Sequence, residues 1–228
     1  MVAVDLVVLD MAGTTVQDGG LVERAFTAAI GEQGVHPGDP VYADMLAHVR
    51  ATMGESKISV FRHLLGGDEA RAQAGNAAFE RAYGELVAEG HCAPIPGAAD
   101  VIERLRTAGV KVALTTGFSR ATAGRILAAL GWQDIADLTL VPAEAGRGRP
   151  YPDLVLTAVM RLGLDDVRAV ATAGDTTYDV QCGLRAGARI VTGVLTGAHD
   201  AEALHAAGAT HVLDSVRDLP DIILSARR

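Results

Sequence analysis

Asp10 closes the apolar run Val7-Val8-Leu9 and opens the small-residue stretch Met11-Ala12-Gly13-Thr14-Thr15. A carboxylate at the end of a strand, before a loop that leaves space around it, is held rigidly yet stays open to a substrate. Such an acid can serve as a nucleophile. Two residues later stands Ala12, where a second carboxyl group could protonate a leaving group. Attack by Asp10 on phosphorus would therefore belong to chemistry that needs no proton donor at position 12. Two more polar clusters follow short apolar runs: Thr115-Thr116-Gly117, and Gly174-Asp175-Thr176 with Asp179 one helical turn on. Carboxylates delivered by separate strands suit a hard, oxygen-seeking cation such as Mg²⁺. Each cluster alone could simply cap the next helix, as Asp, Ser and Thr do. All three at strand ends, with Arg149 on a fourth strand-to-helix connection, favour a site.

Hydrophobic patterning supplies the scaffold. Apolar runs at residues 4–9, 110–115, 138–141, 169–173 and 190–195, with a weaker one at 211–213, predict strands. Helical spacing fills the intervals at residues 98–107, 120–130, 152–162, 178–186 and 201–206. This alternation predicts an α/β fold with a parallel sheet covered on both faces. From residue 18 to 89 the rhythm changes to successive helices at 21–33, 41–53, 55–65 and 69–89, ending in the linker Cys92-Ala93-Pro94-Ile95-Pro96-Gly97. The expected organisation is a Rossmann-like core of residues 1–17 and 93–228 with an inserted all-helical cap of residues 18–92.

Composition narrows the partners. The 228 residues suffice for one sizeable core, or a core with a smaller insertion. A net charge of −8 argues against a nucleic-acid surface. It leaves room for a small anionic substrate where a metal and one or two cations reverse the local field. Cys92 and Cys182 have no metal-ligand spacing and fit reduced thiols. Asp5 interrupts the N-terminal apolar run, which has no basic flank, and no apolar stretch approaches membrane-spanning length. A cytoplasmic protein without membrane or nucleic-acid partners is expected.

Four separated motifs, Asp10-Met11-Ala12-Gly13-Thr14, Thr115-Thr116-Gly117, Gly148-Arg149-Pro150-Tyr151-Pro152, and Gly174-Asp175-Thr176 with Asp179, resemble the haloacid dehalogenase (HAD) superfamily of hydrolases. The resemblance covers essentially the whole chain. Most phosphatases of that superfamily carry a second Asp two residues after the nucleophile and a Lys in the third motif. Ala12 and Arg149 instead resemble the phosphonoacetaldehyde hydrolase (phosphonatase) branch. The resemblance implies a HAD-like core and Asp10 as a nucleophile that becomes an aspartyl-phosphate. It further implies Mg²⁺ held by Asp10, Asp175 and the backbone carbonyl of Ala12, with Asp179 supporting it through water or an outer bond. Thr116 and the Gly117 amide would hold phosphoryl oxygens, and Arg149 would neutralise the phosphorylated aspartate. Met53-Gly54-Glu55-Ser56-Lys57 resembles the branch's cap segment, which places Met53 at the substrate and gives Lys57 a Schiff base with an aldehyde. A homodimer through cap helices is also implied, although the amphipathic 21–33 pattern suits packing within one chain equally.

Lys57 draws attention on physical grounds too. In a helix over 55–65 it shares one face with Phe61 and Leu64, and an apolar lining lowers an amine's pKa as a nucleophile at neutral pH requires. Most lysines are nonetheless solvated, with stems lying over apolar surface. An imine at Lys57 would account for Ala12. Cleaving a carbon–phosphorus bond leaves a carbanion unless a protonated imine accepts the electrons and departs as an enamine, which requires no acid at position 12. The chain departs from the branch at three places: Val60 replaces a His three residues past the lysine, Phe118 a Tyr, and Gly20 a Cys. His63 lies one turn further along the helix, with its ring in a different place. Two other readings compete: a superfamily phosphatase acting on a small phosphomonoester, with Lys57 only binding an anion, and a non-catalytic phospho-ligand binding protein.

Overall fold

The computed structural model describes residues 3–225; the outermost positions of the expected core, 1–2 and 226–228, lie outside them. All six expected runs pair as strands: β1 (Leu6–Asp10), β2 (Lys111–Thr115), β3 (Leu138–Leu140), β4 (Val170–Gly174), β5 (Ile190–Val194) and β6 (His211–Leu213). They form one sheet in the order β3-β2-β1-β4-β5-β6, with every pairing parallel. The unbroken apolar runs reflect burial on both faces. Val7 and Leu9 of β1 join one hydrophobic cluster while Leu6 and Val8 join another, as the two-residue period of a strand requires.

Four helices stand between β1 and the next strand's leading helix: α1 (Leu21–Gly31), α2 (Pro40–Ala51), α3 (Lys57–Leu64) and α4 (Glu69–Ala88). After them come α5 (Ala98–Thr107), α6 (Arg120–Ala129), α7 (Pro142–Ala145), α8 (Asp153–Arg161), α9 (Thr177–Ala186), α10 (Ala201–Ala206) and α11 (Leu219–Ser225). The amphipathic face of α1 is used within the chain. Its Leu21, Ala25, Phe26 and Ala29 are buried, and α4 packs against it with Ala72, Gly75, Phe79 and Tyr83 at three- and four-residue intervals. No described helix is long and apolar enough to cross a membrane.

Several boundaries differ from expectation. Helix α3 begins at Lys57 rather than at residue 55, because Gly54 takes a left-handed φ of 94° and Ser56 is extended. Helix α2 stops at Ala51 before the same turn. Strand β4 starts one residue late because 167–169 form a 3₁₀ turn capped by Asp166. Two short helices, α7 and α11, had no clear periodic signal.

Candidate active site

The chain builds outward from β1 to β2 and β3, then returns to β4 on the other side. That reversal opens a crevice at the carboxyl ends of β1 and β4, the usual ligand position in open parallel sheets. Asp10 is the last residue of β1 and lies in register with Thr115 of β2. Asp175 directly follows β4, and Asp179 sits in the first turn of α9. All three are buried, and each offers an oxygen within 4.8 Å of the others. Arg149 is buried among them: its Nη2 is 2.6 Å from Asp10 Oδ1, and its Nε is 2.7 Å from Asp179 Oδ1. The same Nη2 donates to the Thr115 hydroxyl at 2.7 Å. Asp175 accepts the Thr14 hydroxyl at 3.2 Å and the Ala198 amide at 2.8 Å. Gly13, at φ 86°, and Gly197 leave space for that carboxylate, since a Cβ on either would collide with it.

Three carboxylates gather beside one guanidinium, which pairs with Asp10 and Asp179, and their electrostatics record the excess. Burial pushes the Asp10 carboxyl well above the usual range; Arg149 opposes this, while Asp179 and Asp175 reinforce it. Asp175 is pushed up to about 7, by burial first and by Asp179 second. Burial also works against the Arg149 charge, but Asp10 and Asp179 outweigh it. Surplus buried acidic oxygen is what a divalent cation relieves. The donor set, carboxylates with Ala12 lining the same cavity, fits a hard ion such as Mg²⁺. Asp179 is already engaged on both oxygens: Oδ1 by Arg149, and Oδ2 by the Thr176 amide at 3.1 Å and hydroxyl at 2.5 Å. It therefore orients Arg149 and caps α9 from behind the other two acids.

Asp10, Ala12, Met53, Lys57, Thr116, Gly117, Arg149 and Asp175, all expected at the site from the sequence, line one cavity of about 450 Å³; Asp179 stands outside that lining. The helical insertion closes over it through main chain. A Cβ on Gly117 would stand 2.5 Å from the Glu55 carbonyl oxygen, and one on Gly54 would stand 2.6 Å from Thr176 Oγ1. Lys57, half-buried at the start of α3, places Nζ 5.5 Å from the Phe118 ring centre and 6.0 Å from that of Phe79. Burial lowers its pKa below the ordinary lysine value, with Asp18 and then Asp10 opposing. Phe61 packs between Phe26 and Phe79, at 6.0 and 6.3 Å, so the apolar face expected beside Lys57 is present.

The departures have structural consequences. Val60 is buried and apolar. His63 is exposed, stacks on His48 at 4.0 Å and does not line the cavity. Phe118 packs on Tyr83 of α4 at 4.6 Å, while Gly20 lines the cavity mouth. Two residues escaped the sequence reading. Thr115 holds Arg149, and its place in the Thr-Thr-Gly motif was the available signal. Asp18 lines the cavity, but its Asp-Gly-Gly context signals only a helix cap.

The chain matches the haloacid dehalogenase-like hydrolase family over residues 4–187. It is 30% identical to the phosphonoacetaldehyde hydrolase of Hahella chejuensis, over 86% of this chain and 70% of that one. The counterpart from Bacteroides fragilis is 28% identical over 98% of this chain and 97% of its own length. A shorter match to the Pseudomonas fluorescens phosphonoacetaldehyde hydrolase is 39% identical but covers 45% of this chain and only 38% of that protein. The crystal structure of a phosphonoacetaldehyde hydrolase-like protein from Oleispira antarctica has a TM-score of 0.84 at 26% identity, covering 99% of this chain and 93% of that one. A predicted phosphoglycolate phosphatase from Haemophilus somnus, at 17% identity, has a TM-score of 0.80 over 96% of this chain and 97% of that one, and shares the fold. By family match, relatives and fold together, the chain belongs to the haloacid dehalogenase-like hydrolases, in their phosphonoacetaldehyde hydrolase-like branch.

Proposed function

We propose that the protein hydrolyses the carbon–phosphorus bond of a phosphonate aldehyde, phosphonoacetaldehyde or a close relative, with the four-helix insertion acting as a cap. One observation carries this reading: Lys57 and Asp10 line one cavity, and position 12, which lines it too, holds no acid. Lys57 condenses with the aldehyde carbon to an imine. Asp10 then attacks phosphorus, the carbon–phosphorus bond breaks, and its electron pair moves into the protonated imine to give an enamine. Thr116 and the Gly117 amide hold phosphoryl oxygens, Met53 bounds the substrate, and Arg149 offsets charge on the transferring group. Mg²⁺ held by Asp10, Asp175 and the Ala12 carbonyl would supply further charge neutralisation at the phosphoryl group. The enamine takes up a proton at the carbon released from phosphorus and returns to the iminium, and water finally cleaves the aspartyl-phosphate and the iminium. The unbridged Cys92 and Cys182 suit a reducing cytoplasmic setting.

The test is phosphate release with Mg²⁺ from phosphonoacetaldehyde, compared with small phosphomonoesters, coupled to borohydride trapping and mass analysis of the Lys57 peptide. Phosphate release with a trapped Lys57 adduct is the expected outcome. The buried apolar Val60 favours a second reading, ester hydrolysis with Lys57 binding an anion. Turnover of esters alone, with no adduct, would establish that reading instead.

A further inference from the structure

Forming an imine requires a group that gives a proton to the departing water. Val60 cannot do so, and His63 faces away from the cavity on His48. The ionisable side chains that do line the cavity are few, and among the described residues none is histidine, tyrosine or cysteine. Asp10 and Asp175 belong to the acidic cluster, and Arg149 bridges it. Glu23 and Arg50 are closed on each other by hydrogen bonds of 2.6 and 2.8 Å. Besides Lys57, only Asp18 is left.

Asp18 lies in the turn entering α1. Its Oδ2 accepts the Gly20 amide at 3.1 Å and its Oδ1 accepts the Val22 amide at 3.3 Å. These two bonds fix the carboxyl group while each oxygen keeps lone-pair capacity towards the cavity. Among the charges acting on the Lys57 ammonium, that of Asp18 has the largest influence, ahead of Asp10. Burial also holds the Asp18 carboxyl above the usual aspartate range, against the pull of the two amides and of Lys57. The acid form therefore persists to higher pH than in an exposed aspartate.

We propose that Asp18 is the proton-transfer residue for imine formation at Lys57, a role that rests on the imine reading above. The neutral Lys57 nitrogen adds to the carbonyl carbon; the carbon–nitrogen bond forms, and the proton shed by nitrogen goes to the carbonyl oxygen. Asp18, as the carboxylic acid, then gives its proton to that hydroxyl, which leaves as water. The nitrogen lone pair forms the C=N bond, and the Asp18 carboxylate remains as counter-charge to the iminium. In the closing hydrolysis water adds to the iminium carbon and Asp18 regains its proton.

Asn and Ser each keep an oxygen that can accept a backbone amide of this turn but carry no transferable carboxyl proton, so Asp18→Asn and Asp18→Ser separate the proposed role from holding the turn. The full chain with Mg²⁺ and phosphonoacetaldehyde is quenched with borohydride at intervals, at one fixed pH, and adduct at Lys57 is quantified. Both variants should trap about 10²-fold more slowly than wild type. Added sodium formate should accelerate Asp18→Ser and leave wild type unchanged. Trapping at the wild-type rate in either folded variant overturns the proposal while leaving the imine reading intact. Slow trapping that ignores formate, with a lowered melting temperature, assigns Asp18 to holding the turn alone and also overturns it. Absence of adduct in the wild type during phosphate release removes the imine reading and the role of Asp18 together.

Discussion

Arg149 reaches Asp10 at 2.6 Å with the nitrogen that also contacts Thr115, while its Nε is committed to Asp179. One planar fork thus fixes the nucleophile candidate against two strands and a helix. A lysine ammonium has no comparable fork. Arg149→Lys should fold and lose about 10²–10³-fold in kcat, the scale of one lost charge-stabilising donor. Arg149→Ala leaves buried carboxylates without their cation and should lower stability by about 3–5 kcal/mol in the absence of metal. Steady-state kinetics and denaturant unfolding measure the two effects; equal kcat in Arg149→Lys and wild type would refute the first.

Lys57 supplies a prediction with a sign. Its folded pKa lies below the ordinary value, chiefly through burial, so the reactive amine appears at lower pH than in a free lysine. Labelling of Lys57 by an amine-selective acylating reagent should rise with pH to a midpoint below about 10.4. In the window between folded and unfolded values the unfolded chain binds more protons, so this residue's contribution to stability increases with pH. Lys57→Met should abolish borohydride trapping and reduce turnover by roughly 10³-fold or more, with secondary structure by circular dichroism unchanged.

The carboxylate cluster predicts coupled metal and proton binding. Asp175, pushed up to about 7 mainly by burial, must lose its proton to ligate a cation. Mg²⁺ binding should therefore release protons near neutral pH and weaken as pH falls below about 7. Calorimetry in two buffers of different ionisation enthalpy reads this directly. Without metal, the raised pKa stabilises the fold below the unfolded aspartate value, and that contribution is lost as pH rises through about 7. Melting temperature without Mg²⁺ should decline across that range and recover when Mg²⁺ is added.

Gly54 tests closure of the insertion. Gly54→Ala places a methyl group 2.6 Å from Thr176 Oγ1, at a φ of 94°. Gly66→Ala imposes a similar left-handed strain, at φ 66°, with nothing within 4 Å. Both should lose about 1–2 kcal/mol of stability. Only Gly54→Ala should raise KM, by roughly tenfold, since it alone disturbs the closed contact. Equal KM values in the two variants would disprove the role of this contact.

The positions of Asp10, Thr116 and Asp175 were legible in the sequence because each lies at or just past the end of a strand, and Arg149 because it lies in a loop that leads to the next helix; strand ends are set by local patterning. The register Asp10–Thr115 was less so, since it depends on sheet order. The start of α3 was missed because the helical period continues through Glu55 and Ser56 while Gly54 turns the chain. Asp18 was hidden by a true local explanation: it does cap α1. Phe118 against Tyr83, and His63 against His48, join distant or separately placed segments whose pairing exists only after packing. The side-chain periods showed which faces would be buried, but not against what.

The main-chain contact of the insertion with the sheet rim, permitted by Gly54 and Gly117, bears on fidelity. On the chemistry proposed, the phosphorus end of a molecule is recognised by residues of the sheet, and the carbonyl end by Lys57 of the insertion. Metabolites with a phosphoryl group but no carbonyl satisfy one half of the machinery, and ordinary aldehydes satisfy the other. Reaction then demands a coincidence of two functional groups rather than a close-fitting mould. A cavity of about 450 Å³ can stay roomy without becoming indiscriminate.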